Sequence, residues 1–289
     1  MLTGCIIASF GRHFLFINDR SIIHAVDASR KRINRLLSVF LFDCIAIMTF
    51  CAGIKVRQGV VMLADTQIVR GNEQVNKAKL AVSRHGNASI FTMTSGLRSV
   101  RDKTVTYLDE RLAHPESLTR LYQVANLFGE QLRRVRLEDG PSLQQANLAF
   151  NLNAIIGGCL PGDDEPKLYY VYPEGNWVEA AADSPYFIIG RTPYGKPILD
   201  RFLTYETDLR SATALALLAF DATQASVTDV GCPIDVGVIF ASTRSSVWRR
   251  FEAYEVEQVT RWWTERLAQT LREFPTHWSE SLFGNAPGN

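Results

Sequence analysis

Thr49, Asp65 and Lys79 carry the functional groups of a hydrolytic site that uses no histidine. A threonine hydroxyl is a weak nucleophile and needs a base beside it. If Thr49 is the first residue of a mature chain, its own α-amine supplies that base, with a reference pKa of about 7.7–8.0. A neighbouring ammonium lowers that value by like-charge repulsion and favours the neutral amine. Such a site needs a lysine next to the terminus, a carboxylate to hold the lysine, and a backbone N–H aimed at the developing oxyanion. Lys79 and Asp65 supply the first two. Gly96, after Ser95, lets the backbone come close to a substrate carbonyl. Singly these residues are ordinary: a strand-terminal aspartate is usually a cap, a lone lysine is usually solvated, and Ser-Gly is a turn signal. Only the combination with a free Thr49 points to chemistry.

Other chemistries find no support. There is no phosphate-binding glycine loop, no H-E-x-x-H and no G-x-S-x-G. The five histidines (His13, His24, His85, His114 and His277) are scattered, which argues against a histidine triad or a metal centre. His85 in a turn and His114 at a helix end read as solvated. The five cysteines (Cys5, Cys44, Cys51, Cys159 and Cys232) are odd in number and irregular in spacing, with no C-x-x-C pair. Neither a disulfide scaffold nor a zinc ribbon is indicated, and a reducing cytoplasmic setting fits best. With 46% hydrophobic residues and a net charge of +1 over 289 residues, the chain reads as globular. That balance gives no reason to expect a nucleic acid or a membrane as partner, and no cofactor is called for.

The candidate groups must be brought together by β-structure. Residues 50–56 and 60–65 read as strands joined by a turn at 57–59, a hairpin that puts Thr49 and Asp65 on one edge. The polar stretch 70–74 reads as a connection, followed by strands around 79–83 and 89–94 with a turn at 85–87. Lys79 begins the third strand, and Gly96 follows the fourth. Helical spacing then takes over at 98–113 and from Pro115 to about Leu137. Strands return at 153–157, 167–171, 177–179 and 186–189. Helices are expected at about 193–204 and 209–224, a strand at 234–241, and a last helix at about 252–272. Strands grouped with strands indicate an α+β fold with antiparallel sheets, its helix pairs covering the outer faces of two stacked sheets.

Residues 1–48 differ in character. They hold six basic and three acidic residues of the chain's 31 and 30, which leaves 25 and 27 for residues 49–289. The run from Leu36 to Met48 follows Arg30-Lys31-Arg32 as in a signal peptide, but it is too short to span a bilayer and contains Asp43. Met48 before a small threonine suggests a start codon from which methionine is trimmed. A mis-assigned start, a propeptide and a targeting segment all stay open for 1–48, and residues 49–289 are read as one domain.

Thr49-Phe50-Cys51-Ala52-Gly53-Ile54-Lys55-Val56 through Val61-Met62-Leu63-Ala64-Asp65 resembles the start of a mature proteasome β-subunit, with its aspartate 16 residues after the threonine. Lys79-Leu80-Ala81-Val82 is similar to the segment carrying the catalytic lysine of that family, and Thr94-Ser95-Gly96 to the segment carrying its oxyanion glycine. Ile189-Gly190-Arg191-Thr192-Pro193-Tyr194-Gly195-Lys196-Pro197 and Gly231-Cys232-Pro233-Ile234-Asp235 narrow the resemblance to the bacterial Anbu and betaproteobacterial proteasome homologues. The resemblance covers essentially all of 49–289 and none of 1–48.

It implies the four-layer αββα sandwich of N-terminal-nucleophile hydrolases and self-association into rings or an open helical assembly. It implies a threonine-type endopeptidase acting on peptide or unfolded protein through an acyl-enzyme ester. Thr49 would be nucleophile and base, Asp65 and Lys79 would tune it, and Gly96 would supply the oxyanion N–H. Three points depart from the family pattern. The stretch between Asp65 and Lys79 is short, which keeps Lys77 as an alternative. The supporting serine and aspartate positions read Arg191-Thr192 and Ser226-Val227-Thr228-Asp229, so Thr192, Ser226 and Asp229 are candidates for an altered support. Residue 48 is not the glycine that typically ends a proteasome propeptide.

Cys51 and Cys232 are expected in the core, Trp262-Trp263 against the domain, and Arg133-Arg134-Arg136 on a solvated helix face. Two other functions keep the same fold: an amidase or acyl-transfer enzyme, and a non-catalytic assembly protein in which 1–48 is retained. Whether an ATPase unfoldase is a partner stays open.

Overall fold

A computed structural model describes residues 7–10, 13–16, 49–70, 73–113 and 118–283. The chain divides into two units, Met1–Ile47 and Met48–Asn289. In the first, β1 (Ile7–Phe10) and β2 (His13–Phe16) pair as an antiparallel hairpin. The apolar run 36–48, His114 and the tail 284–289 lie outside the described residues. Among the described residues, no helix is long and apolar enough to cross a membrane.

The second unit is built on two antiparallel five-stranded sheets. β3 (Phe50–Val56) and β4 (Gly59–Asp65) are buried along their whole length, as central strands covered on both faces must be. They lie in the order β12-β3-β4-β13-β14, with β12 (Tyr186–Gly190), β13 (Ile234–Phe240) and β14 (Ser246–Phe251). The other sheet runs β11-β10-β9-β8-β7, formed by β7 (Leu80–His85), β8 (Ala88–Gly96), β9 (Leu152–Gly158), β10 (Lys167–Val171) and β11 (Trp177–Glu179).

Alternation along β3 distributes its side chains between two cores. Cys51, with Met62 and Ala64 of β4, packs against Leu80, Phe91, Met93 and Ile155 of the facing sheet. Phe50, Ala52 and Ile54 point the other way, onto Leu199 of α3 (Thr192–Phe202) and Ala212, Ala216 and Phe220 of α4 (Leu209–Gln224). A third core joins α1 (Arg98–Ala113) and α2 (Leu121–Gln145), through Val100, Leu108, Phe128 and Leu132, to Ile90, Ala154 and Ile156. Helix pair, sheet, sheet, helix pair: the expected αββα sandwich is present.

Several details depart from the sequence reading. The polar stretch after Asp65 is a hairpin, β5 (Gln67–Arg70) and β6 (Glu73–Asn76), whose second strand is fully exposed and so carries no burial pattern. β14 was not anticipated for the same reason, since it is an edge strand with little buried surface. α2 starts at Leu121 because the buried Asp163 carboxylate accepts the Leu121 N–H at 3.0 Å, a contact 42 residues away in sequence. It runs on through Pro141, where Leu137 is exposed and water can serve the carbonyl that proline leaves unpaired.

The arginines of α2 are more engaged than a solvated face. Arg133 donates to the Gly175 carbonyl at 3.0 Å and Arg136 to the Pro173 carbonyl at 2.6 Å, clasping the turn before β11. Cys51 is buried as expected, and Cys232 is half-buried beside the helix-side core. The long C-terminal helix, α5 (Ala253–Arg272), overturns one expectation. Trp262 and Trp263 stack on each other, with Trp262 more than half exposed rather than packed on the domain.

Candidate active site

Four strand ends meet at one edge of the first sheet. In the β3–β4 register Cys51 opposes Ala64, which brings Asp65 beside the start of β3. β12 adds Gly190 opposite Phe50, and β13 adds Ile234 opposite Asp65. Thr49 is the residue before β3 and is buried.

Asp65 is the hub. Its carboxylate accepts the Phe50 N–H at 2.8 Å, and both oxygens accept from Lys79 Nζ, at 2.7 and 2.8 Å. The main chain at Gly231 donates to it as well. Asp65 has no exposed surface, and burial pushes its carboxyl up to about 6 against the opposing pull of Lys79 and the two N–H groups. A buried carboxylate with this many donors is satisfied rather than stranded.

The β5–β6 hairpin delivers Lys79. Thr66 donates to the Pro233 carbonyl through its N–H at 3.1 Å and its hydroxyl at 2.7 Å, anchoring the entry to the hairpin. The Lys77 N–H returns to the Thr66 carbonyl at 2.7 Å and closes the base. Arg101 of α1 then donates to the Ala78 carbonyl at 2.7 Å, fixing the residue before Lys79. Lys77 is left exposed while Lys79 is buried on Asp65. Of the two lysines, the structure brings Lys79 to the aspartate. It stands one residue ahead of its strand rather than within it.

The other side of Thr49 is held by residues that sequence reasoning did not place in the site. The Arg191 N–H donates to the Thr49 carbonyl at 2.8 Å. Gly190 has φ of +93°, and a Cβ there would lie 1.8 Å from the Thr49 oxygen, so only glycine lets the two backbones approach this closely. The Arg191 guanidinium is paired with Asp229, Nη2 at 2.6 Å and Nε at 3.1 Å from the same oxygen. Asp229, a candidate support, is thus joined to Thr49 through Arg191. Ser226 is not joined to this cluster: it is exposed at the end of α4, and its hydroxyl donates to the Ala222 carbonyl at 2.8 Å. Thr192 opens α3.

Gly96 ends β8 with φ of +141°, and a Cβ there would fall 2.1 Å from the Asn151 carbonyl oxygen. The next N–H, of Leu97, donates to that same carbonyl at 2.8 Å, so β9 holds the backbone at Gly96 in place. The Cys51 thiol, two residues from Thr49, is raised far above its ordinary range, first by burial and then by the Asp65 charge. It stays protonated and is no competing nucleophile. Among the described residues, no three His, Cys, Asp or Glu side chains group as metal ligands.

The signal for Arg191 and Gly190 was present in the sequence as a Gly-Arg pair after a buried strand. Its pairing with an aspartate 38 residues later is a tertiary fact that no local pattern reports.

A family model described as proteasome subunit matches residues 49–239. Among solved structures, the chain resembles Anbu (ancestral beta-subunit) from Yersinia bercovieri at 29% identity and a TM-score of 0.72, over 78% of this chain and 98% of that one. A Gly-1 mutant of Anbu from Hyphomicrobium sp. strain MC1 is 30% identical, with a TM-score of 0.70 and the same coverage of 78% and 98%. The helical assembly of the Anbu complex from Pseudomonas aeruginosa matches at 28% identity and a TM-score of 0.72, over 78% of this chain and 97% of that one. No curated protein matches the chain.

Proposed function

The chain belongs to the proteasome subunit family, and on that premise we propose that it is a threonine-type endopeptidase acting from a free Thr49. The observation that carries the reading is the buried Asp65 carboxylate, shared between the N–H of Phe50, next to Thr49, and the ammonium of Lys79. In this reading residues 49–289 are the working domain, and residues 1–48 are absent from or removed before the active form.

The free Thr49 amine takes the proton of its own hydroxyl as Oγ attacks the scissile carbonyl. The Lys79 ammonium favours the neutral amine by like-charge repulsion, and Asp65 keeps that ammonium in place. Negative charge developing on the carbonyl oxygen is stabilised by the Gly96 N–H. As the C–N bond breaks, the departing nitrogen takes the proton and leaves as the amine product. An ester at Thr49 Oγ remains. Water, deprotonated by the same amine, hydrolyses it and restores the hydroxyl. Apart from the peptide and the water, every group in this cycle belongs to the chain, and no cofactor enters.

We also propose that the active form is a homo-oligomeric, proteasome-like assembly, a reading supported by the helical assembly of the Pseudomonas aeruginosa relative. A cytoplasmic setting accords with Cys51, Cys159 and Cys232 all being free thiols.

The test combines N-terminal sequencing of the purified protein with labelling by an electrophilic inhibitor directed at N-terminal threonine. Thr49 should be the first residue of the labelled species, and Thr49→Ala should abolish labelling while assembly persists. Equal labelling of both proteins, or a native chain that retains residues 1–48, rejects the assignment.

A further inference from the structure

Asp221 stands where a carboxylate is unfavourable twice over. It is buried, and it lies in the last turn of α4, at the negative end of the helix dipole. Two donors hold it there on a single oxygen. The Thr260 hydroxyl reaches it at 2.6 Å from α5, and the Gln224 amide at 3.2 Å from the same turn of α4. The other end of the Gln224 amide accepts the Cys232 thiol, with sulfur and oxygen 3.9 Å apart. That thiol is pushed up to about 11, first by burial and then by the charges of Asp65 and Asp221, so it keeps the proton it donates. A line of side chains thus runs from α5, through the end of α4, to the loop before β13.

The same loop is held from its other side by the candidate site. The Gln67 amide donates to the Thr228 carbonyl at 2.7 Å. Asp229 grips Arg191, the Gly231 N–H donates to Asp65, and the Pro233 carbonyl accepts the Thr66 hydroxyl. Cys232 sits between these holds, and its own side chain goes to the helix-side core and to Gln224.

We propose that Thr260, Asp221 and Gln224 are positioning residues for the reaction at Thr49. They fix the helix side of residues 228–233, so the seat of α5 on α4 sets how firmly Asp65 and Arg191 are supported. They act through the loop rather than on the reacting atoms. This role rests on the threonine-peptidase reading of the site. Fastening α5 to α4 requires only the bond from Thr260 to Asp221. The further step from Gln224 to Cys232 is what extends the line to the site.

The experiment compares the full chain with Thr260→Val, Thr260→Ser, Gln224→Leu and Thr270→Val. The Thr270 hydroxyl bonds within α5, to the Arg266 carbonyl at 3.0 Å, and provides the control. Two quantities are read on each protein. One is the rate constant for labelling by an inhibitor directed at N-terminal threonine, taken separately from the fraction of chains that label. The other is deuterium exchange in the peptide spanning 228–233.

Loss of one hydrogen bond should lower the rate constant about threefold in Thr260→Val and in Gln224→Leu, with the labelled fraction unchanged. Exchange in 228–233 should be faster in both. Thr260→Ser should keep both quantities at wild-type values, and Thr270→Val should change neither. A merely structural role would lower the labelled fraction and leave the rate constant alone, and that result overturns the proposal. Faster exchange at an unchanged rate constant overturns it as well. A wild type that takes no label rejects the peptidase reading and this role with it. A labelled wild type with unaltered variants rejects this role alone.

Discussion

The main-chain N–H of Arg191 donates to the carbonyl of Thr49 at 2.8 Å, while its guanidinium is paired with Asp229. One residue thereby fixes the backbone at the proposed nucleophile and ties it to a second segment of the chain. Hydrogen bonds to charged groups contribute about 1.5–3 kcal/mol. Arg191→Ala and Asp229→Ala should each lower kcat on a peptide substrate roughly tenfold. Because both remove the same pair, the double variant should be no worse than the worse single one. Strictly additive losses would show that the two residues act separately.

Lys79 and Lys77 make opposite predictions. Removing one partner of a buried ion pair typically destabilises by about 3–5 kcal/mol. Lys79→Ala should cost stability of that order and at least about 100-fold in activity. Lys79→Met combined with Asp65→Asn should recover much of the stability and none of the activity. Lys77→Ala, at an exposed site, should leave both within error. Urea denaturation and peptide hydrolysis on the four proteins decide the matter.

Asp65 gives stability a pH dependence with a definite sign. Burial raises its carboxyl from 3.8 to about 6 in the folded protein, so between those values the folded state binds the proton more tightly than the unfolded state. Its contribution to stability is therefore fully present below about pH 4 and is lost as pH rises through about 6. Activity should move the other way, because a protonated Asp65 no longer holds Lys79 as an ion pair. Denaturation of wild type and Asp65→Asn at pH 4.5 and 7.5 isolates this term. The variant's relative stability should improve at the higher pH.

Cys51 should be chemically silent despite lying two residues from Thr49. Burial keeps its thiol protonated and out of reach. Native protein treated with iodoacetamide should keep its activity, with Cys51 alkylated only after unfolding. Mass spectrometry of the peptide beginning at Thr49 reads this directly. Rapid alkylation with loss of activity would mean that the edge opens in solution.

What the sequence revealed follows from where burial is periodic. The strands at 50–56 and 59–65 and both helix pairs are legible because apolar residues mark their covered faces, and α5 is legible from its apolar spacing although Val256 is its one buried residue. The β5–β6 hairpin and β14 are not, since their exposed strands carry polar side chains that read as loop. At the site, Thr49, Asp65 and Lys79 could be nominated from residue type and element ends, and the geometry joins Asp65 to Lys79 and to the residue after Thr49. Arg191 was out of reach because its role depends on a main-chain contact and a distant aspartate. Ser226 shows the opposite case: a suitable residue type whose hydroxyl donates to the Ala222 carbonyl in the helix before it. Trp262 was misplaced because an aromatic on a helix reads as core whether it faces its own domain or not.

Asp229 and Gly231 are two residues apart, yet one grips Arg191 on the carbonyl side of Thr49 and the other donates to Asp65 on the far side. The two supports of the proposed nucleophile therefore share one short stretch of backbone just before β13. A shift of that stretch would disturb both at once, so the two supports cannot be adjusted independently. Anything that moves residues 229–231 would therefore reach the proposed nucleophile from both sides.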